Sequence, residues 1–293
     1  MDTKTSAVAD EPIQVLFALH DGFDLMDFAG PCEVLTTALH DSKDPTSKAF
    51  EITIAGGESQ DKLQVLSDQG VLINSHVTWD EAHKRLKEFD TLIVVGGSSD
   101  KVLKNNAEPL NLISAYKTLQ EDDVSRERTL LSVCTGALFL AKQAILPGLH
   151  ATTHPDYFIK FENLCAEVTK RDLSDHTTLN EEARYVVNNL RFPVEDEDQS
   201  PYIRRKSDAG RRPSNARKGS MSFKNASRRE SIARRQEMRL GGLRVITSGG
   251  VASGMDAALY LVSILVSEES ANEVARLMQL TWTKGVVVDG IDV

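Results

Sequence analysis

Cys134 lies where an apolar stretch ends and a helical stretch begins, which is a position suited to a nucleophile. Residues 130–137 read LLSVCTGA, so a buried strand runs directly into the cysteine. A turn of this kind presents the nucleophile in hydrolase folds, and a thiol at the start of a helix is expected to have a lowered pKa. The backbone N–H of Thr135 would face an oxyanion formed on attack. The same pattern also fits a cysteine that only packs as a small buried residue.

Two glycine- and aspartate-containing loops are candidates for the rest of such a site. Gly97 follows the apolar run 91–95, and its backbone N–H could serve as a second oxyanion donor; taken alone, this loop is more simply explained as a tight turn. Asp24 and Asp27 follow the apolar run 14–19. Their spacing fits an N-cap and a first-turn residue of a helix. One of them could instead face the thiol and transfer protons.

The remaining histidines and cysteines are weaker candidates. His154 follows a short predicted strand and could tune Cys134, act as a base or contact substrate; because Pro155 begins a helix, a structural role is favoured. The other side chains considered are predicted to lie on the surface (His76 and His83) or in the core (Cys32 and Cys165).

These residues sit on a regular alternation of strands and helices. Strands are predicted at 14–19, 50–55, 91–95, 129–134 and 244–247, and helices at 28–39, 111–120, 136–144, 251–266 and 268–280. Strands that are apolar throughout indicate an α/β fold whose mostly parallel sheet is covered on both faces. Loops at the carboxyl ends of such strands share one rim, where ligands bind. The loops after 19, 95, 133 and 247 are therefore predicted to meet.

Composition limits the class of protein. The chain has 293 residues, a formal net charge of −9 and three cysteines without a Cys-x-x-Cys pair. The charge disfavours nucleic-acid binding, and the cysteines favour a reducing, cytoplasmic compartment over a secreted disulfide framework. No apolar run approaches the roughly 18 residues of a membrane span. Residues 1–12 are predicted to be disordered, and 13–293 to form one catalytic domain.

A basic insertion is predicted to interrupt this domain at about 193–242. Between 204 and 239 there are thirteen Lys or Arg and three Asp or Glu, a local net charge of +10. Such a composition buries too little apolar surface to fold, so disorder is expected. Four serines follow paired basic residues and are candidate sites for a Ser/Thr kinase: Ser207, Ser214, Ser220 and Ser231. A nuclear-localisation or acidic-partner patch and a gene-model artefact are alternatives, and a solvated insertion without function is the simplest explanation.

The motifs together resemble the ThiJ/PfpI superfamily, whose members have a class I glutamine-amidotransferase-like, flavodoxin-like fold. The similar segments are DGFDLMDFAGPCEVL, TLIVVGG, SVCTGALFLA, GLHATTHPDYF and RVITSGGVASGMDAALYLV, in family order. The resemblance implies a three-layer sandwich with a nucleophile elbow at Cys134, and a homodimer.

Within the superfamily the chain is most similar to isonitrile hydratases. Asp27 before FAGP, the triplet beginning at Cys134, and TSGGVASGMD carry this similarity. It implies that an isocyanide is hydrated to an N-substituted formamide without metal or organic cofactor. Cys134 would attack the terminal carbon, Asp27 would handle protons, and Thr135 would orient the carboxylate or water.

Two other functions stay open. A glyoxalase or deglycase acting on 2-oxoaldehydes would also use a thiol and a carboxylate, but usually a glutamate in place of Asp27. A non-enzymatic redox sensor would use Cys134 as an oxidisable thiol.

Overall fold

The computed structural model describes residues 11–57, 59, 61–189 and 239–289. Its centre is a seven-stranded sheet in the order β11-β9-β10-β6-β5-β1-β2. The sheet strands are β1 (Ile13–Ala18), β2 (Phe50–Ala55), β5 (Thr91–Val94), β6 (Thr129–Ser132), β9 (Tyr185–Asn189), β10 (Arg244–Ser248) and β11 (Val286–Asp289). Short strands β3 (Gln64–Leu66) and β4 (Leu72–Asn74) form a hairpin, and β7 (His150–Ala151) pairs with β8 (Thr178–Leu179).

Helices cover both faces of the sheet. One face is covered by α1 (Leu25–Thr37), α7 (Ser253–Leu265) and α8 (Glu268–Leu277). The other is covered by α2 (Trp79–Arg85), α4 (Leu110–Asp122), α5 (Gly136–Lys142) and α6 (Phe158–Asp172), with α3 (Ser99–Asn105) packed against α5. The mostly parallel three-layer α/β fold predicted from the sequence is confirmed.

The strand sequences explain why the sheet is buried on both faces. In β1, Val15 and Phe17 join the core under α1, whereas Leu16 and Ala18 join the core under α5. All four side chains are fully buried. Because the side chains on both faces of the strand are buried, the sequence shows a continuous apolar run instead of an alternation of apolar and polar residues.

An antiparallel pair lies at one side of the sheet. β9 runs antiparallel to β10, with Asn188 opposite Val245. The apolar tail around Val287, to which the sequence assigns no role, forms β11 and pairs in parallel with β9. β9 is thereby an inner strand.

The predicted insertion lies mostly outside the described residues, as do its four candidate phosphorylation serines and residues 1–10. At its end the prediction of disorder is wrong. Arg239–Gly242 forms a tight turn in which Leu240 is buried, and the Gln120 side-chain N–H donates to the Gly241 carbonyl at 2.9 Å. Packing of this turn against α4 orders these residues despite the composition of the segment before them.

No helix among the described residues is both long and apolar enough to cross a membrane.

Candidate active site

Cys134 occupies a tight elbow between β6 and α5. Its φ of 57° lies in the left-handed region, which costs a non-glycine residue about 1–3 kcal/mol and persists only because its surroundings hold it there. The Cys134 N–H donates to the Ser248 carbonyl at 3.1 Å, which anchors the elbow to the end of β10. The side chain is 6% exposed. A strained and nearly buried nucleophile position is typical of a functional site.

Asp27 faces this thiol from the first turn of α1. Asp24 is the N-cap of that helix and accepts from the Met26 N–H at 3.0 Å, so the pair takes the N-cap and first-turn positions predicted from the sequence. Asp27 is fully buried. Its Oδ2 accepts from the Gly96 N–H at 3.1 Å, and the carboxylate accepts a hydrogen bond from the Cys134 thiol. Its Oδ1 has no partner within the described part of the chain.

Burial controls the protonation of this pair. Removal from water, with a smaller contribution from the negative charge of Asp24, raises the pKa of Asp27 to about 7. Burial and then the charge of Asp27 also raise the pKa of the Cys134 thiol. The sequence-based expectation of a lowered thiol pKa is therefore wrong for the protein without substrate. The raised pKa keeps the proton on the Cys134 sulfur at neutral pH.

Thr135 fastens the loop after β5 to the elbow. The Gly97 N–H donates to Thr135 Oγ1 at 2.9 Å, and that hydroxyl donates to the Gly97 carbonyl at 3.1 Å. This corrects the prediction that the Gly97 N–H serves as an oxyanion donor, because the threonine hydroxyl already accepts it. The glycine N–H in the site belongs to Gly96, and it is used to hold Asp27.

The close approach of these groups requires glycine at position 96. A Cβ there would lie 2.6 Å from both the backbone nitrogen and the hydroxyl of Thr135, and 2.8 Å from Asp27 Oδ2. Gly97 has a φ of 120°, and a Cβ there would lie 2.2 Å from the Gly22 carbonyl oxygen. The two glycines therefore let the loops after β1, β5 and β6 meet at one point.

A model of the DJ-1/PfpI family matches residues 13–189, which is more than half of the chain. The chain belongs to the DJ-1/PfpI family. A relative from Streptomyces lividans, described as an uncharacterized protein in the cpoL 5' region, is 34% identical over 143 residues, covering 49% of this chain and 88% of that protein.

Solved structures of DJ-1 proteins have the same fold. Drosophila melanogaster DJ-1beta is 16% identical with a TM-score of 0.54, covering 93% of this chain and 100% of that one. Schizosaccharomyces pombe DJ-1 gives 16% identity and a TM-score of 0.54, with coverage of 92% and 100%. At these identities the likeness concerns the fold of the DJ-1/PfpI domain.

This DJ-1/PfpI chain has one site residue that sequence reasoning missed. Thr153 is fully buried, and its hydroxyl donates to the Cys134 carbonyl at 2.9 Å. The only sequence signal is its place directly after the short strand at 150–151, next to His154. A threonine there is equally typical of a loop without function, so its type alone does not reveal the contact.

His154 takes a structural position in the DJ-1/PfpI fold. Its Nδ1 accepts from the Asp156 N–H at 3.2 Å and so caps the short 3-10 turn that precedes α6. The ring packs edge-on against Tyr157 at 5.9 Å. Across the described residues, no hydrogen bond joins this ring to Cys134. A catalytic or substrate-binding role for His154 stays a prediction.

The other cysteines lie away from the elbow. Cys165 is buried in α6, where burial raises its pKa to about 11, and Cys32 is partly buried in α1, with its pKa likewise raised to about 11. Both are packed against the cores, as predicted. Within the described ranges, no group of three or more His, Cys, Asp or Glu side chains is arranged to hold a metal ion.

Proposed function

We propose that this DJ-1/PfpI protein hydrates isocyanides to N-substituted formamides, with Cys134 as nucleophile and Asp27 as proton carrier. The observation that carries the proposal is the contact between an elbow thiol and a fully buried carboxyl group whose pKa is about 7. A carboxyl with this pKa can both accept and release a proton near neutral pH. Isocyanide hydration needs a group that both accepts and releases a proton beside the isocyanide carbon.

In the first half-reaction, the Cys134 sulfur attacks the terminal carbon of R–N≡C while its proton passes to Asp27. A carbon–sulfur bond forms, and electron density remains on the same carbon. Asp27 returns the proton to that carbon, which gives the thioimidate R–N=CH–S-Cys134. The unpartnered Asp27 Oδ1 is the atom suited to this transfer, because Oδ2 is held by the Gly96 N–H.

In the second half-reaction, Asp27 removes a proton from water as the water oxygen adds to the thioimidate carbon, and it passes the same proton to the imidate nitrogen, so that Asp27 is ionised again. The tetrahedral intermediate is R–NH–CH(OH)–S-Cys134. Its carbon–sulfur bond breaks, the hydroxyl proton returns to sulfur through Asp27, and R–NH–CHO leaves. Atoms and charges balance with one isocyanide and one water consumed.

Thr135 contributes through its backbone and its side chain. Its N–H donates to the Cys134 sulfur, which lowers the thiol pKa and stabilises negative charge as the proton leaves. Its hydroxyl holds Gly97, and the neighbouring Gly96 N–H keeps Asp27 in place. We therefore propose that the side chain orients the carboxyl through this loop.

The first test is formamide formation from phenyl and cyclohexyl isocyanide, followed by mass spectrometry in ¹⁸O water. The wild-type protein is expected to incorporate one solvent oxygen. Cys134→Ala is expected to abolish turnover, and Asp27→Asn to lower kcat by roughly 10²–10⁴-fold, the usual contribution of general acid–base catalysis.

Cys165→Ala is the matched control because it removes another buried thiol outside the site. It is expected to keep wild-type turnover. Inactivity of the wild type on both isocyanides, or retained turnover in Cys134→Ala, would refute the hydratase. Consumption of methylglyoxal by an otherwise inactive wild type would support the 2-oxoaldehyde enzyme instead.

A further inference from the structure

The peptide unit between Cys134 and Thr135 contains the Cys134 carbonyl, which is held by a hydrogen bond, and the Thr135 N–H, which faces the thiol. In a trans peptide the C=O and N–H are coplanar and point in opposite directions. The Cys134 carbonyl accepts from Thr153 Oγ1 at 2.9 Å, and the N–H of the same unit donates to the Cys134 sulfur. Holding the carbonyl therefore also aims the N–H.

The backbone at Cys134 needs such a restraint. Its φ of 57° is unfavourable for a residue with a side chain, so contacts with the peptide units on either side of Cys134 have to hold the elbow in this conformation. The Cys134 N–H is anchored on the Ser248 carbonyl, but that contact belongs to the preceding peptide unit. The Thr153 hydroxyl restrains the unit that bears the donor.

The segment 150–153, which contains Thr153, is held in place by hydrogen bonds to the sheet. The neighbouring Thr152 N–H donates to Thr247 Oγ1 at 2.9 Å, and the His150 N–H donates to Asn188 Oδ1 at 3.0 Å. Thr247 and Asn188 are fully buried in β10 and β9. A chain of contacts thus runs from the antiparallel pair of strands through residues 150–153 to the elbow.

We propose that Thr153 is a positioning residue, whose hydroxyl fixes the 134–135 peptide so that the Thr135 N–H stabilises the reacting sulfur. The inference rests on the proposed use of Cys134 as a nucleophile but does not depend on isocyanide as the substrate. Loss of the hydroxyl lets the peptide rotate, and the sulfur then loses its donor. The thiol pKa rises and the thiolate becomes scarcer at a given pH.

The test follows alkylation of Cys134 in the full chain by iodoacetamide between pH 7 and 11, with the Cys134 peptide quantified by mass spectrometry. Thr153→Val, which keeps the shape of the side chain and removes the hydroxyl, is expected to react roughly tenfold more slowly. That factor corresponds to about one unit in the thiol pKa, so the pH profile moves to higher pH. Thr153→Ser is expected to restore the wild-type profile.

Thr152→Val is the matched control. Thr152 is adjacent and equally buried, but within the described chain its hydroxyl has no hydrogen-bond partner. It is expected to react and melt like the wild type. If Thr153→Val does not fold, the pair Thr153→Ala and Thr152→Ala takes its place.

A folded Thr153→Val protein with the wild-type profile would overturn the inference, and so would equal slowing in Thr152→Val. The alkylation assay does not use an isocyanide, so its result can be interpreted even if the protein shows no hydratase activity. If hydration is observed, the Thr153→Val variant is expected to lower kcat and leave KM unchanged.

Discussion

Asp27 combines full burial with a carboxyl group that ionises near neutral pH, and both properties come from the same surroundings. The buried environment that brings the pKa of the carboxyl close to neutrality also makes its ionised form unfavourable in the folded protein. In an unfolded chain the same group ionises at its ordinary pKa of 3.8. Folding therefore holds a proton on Asp27 between about pH 4 and 7, and stability falls as pH rises through this window.

Replacing Asp27 by Asn is expected to stabilise the protein at pH 8 even though the same change is expected to slow turnover. The neutral amide avoids the cost of a buried charge, and its oxygen can still accept from the Gly96 N–H. A shift of about three units sets an upper bound of about 4 kcal/mol, and a gain of about 1–4 kcal/mol is expected. Urea unfolding at pH 5 and pH 8 measures it, with the larger gain expected at pH 8.

Asp44 provides a control, because its pKa is shifted in the direction opposite to that of Asp27. Hydrogen bonds from Thr46 lower the pKa of this exposed carboxyl, so ionisation favours the folded state there. Asp44→Asn is expected to bring no gain at pH 8. A stability difference between Asp27→Asn and wild type that does not grow from pH 5 to pH 8 would contradict the assignment of a raised Asp27 pKa.

At the residue scale, the sequence indicates which residues are candidates for the site, but it does not predict the contacts that they make. Cys134 and Asp27 could be selected because a nucleophile after a strand and an acid after a neighbouring strand must share a rim. The use of Gly96 instead of Gly97 could not be predicted, because both are glycines and only the path of the loop separates them. The raised thiol pKa depends on burial that the helix pattern does not report.

At the scale of elements, the site depends on how closely three loops approach. The loop after β5 lies between Asp27 on α1 and Thr135 before α5, and glycine at position 96 sets the distance between them. The apolar runs predict these elements well, because a buried parallel strand must be apolar throughout. Their separation cannot be predicted from those runs, since it depends on the register and twist of three strands.

Gly96→Ala is expected to push Asp27 away from the elbow and to lower kcat/KM for formamide formation by roughly 10²-fold, the cost of about 1 Å of misplacement. Gly250→Ala is the matched control, because a Cβ there would meet no atom closer than 3.6 Å, at His154. Wild-type turnover is expected for the control. Equal losses in both variants would show that added volume anywhere at this rim disturbs the site.

At the scale of the whole molecule, the pairing of β9 with β10 does not depend on a long connection, although many residues separate the two strands in sequence. They are directly hydrogen-bonded neighbours, with Asn188 opposite Val245. The expected homodimer stays a prediction, and size-exclusion chromatography with light scattering measures it.

Replacing residues 190–238 by about eight Gly and Ser residues is expected to leave the fold and the reactivity of Cys134 unchanged, because short loops commonly join such strands. The design keeps Arg239–Gly242, which packs against α4. Thermal unfolding and iodoacetamide labelling compare the two proteins. Aggregation or a loss of labelling would assign the removed segment a part in folding or in the site.

The strand β11 has a consequence for solubility during synthesis. It is the neighbour on the outer side of β9, where Tyr185, Val186 and Val187 are almost completely buried. Val186 pairs with Val286, which is made much later by the ribosome. Until then a nascent chain that has folded the rest of its sheet presents an open apolar edge, the kind of surface that recruits other strands. Chaperone demand should therefore be greatest just before β11 emerges.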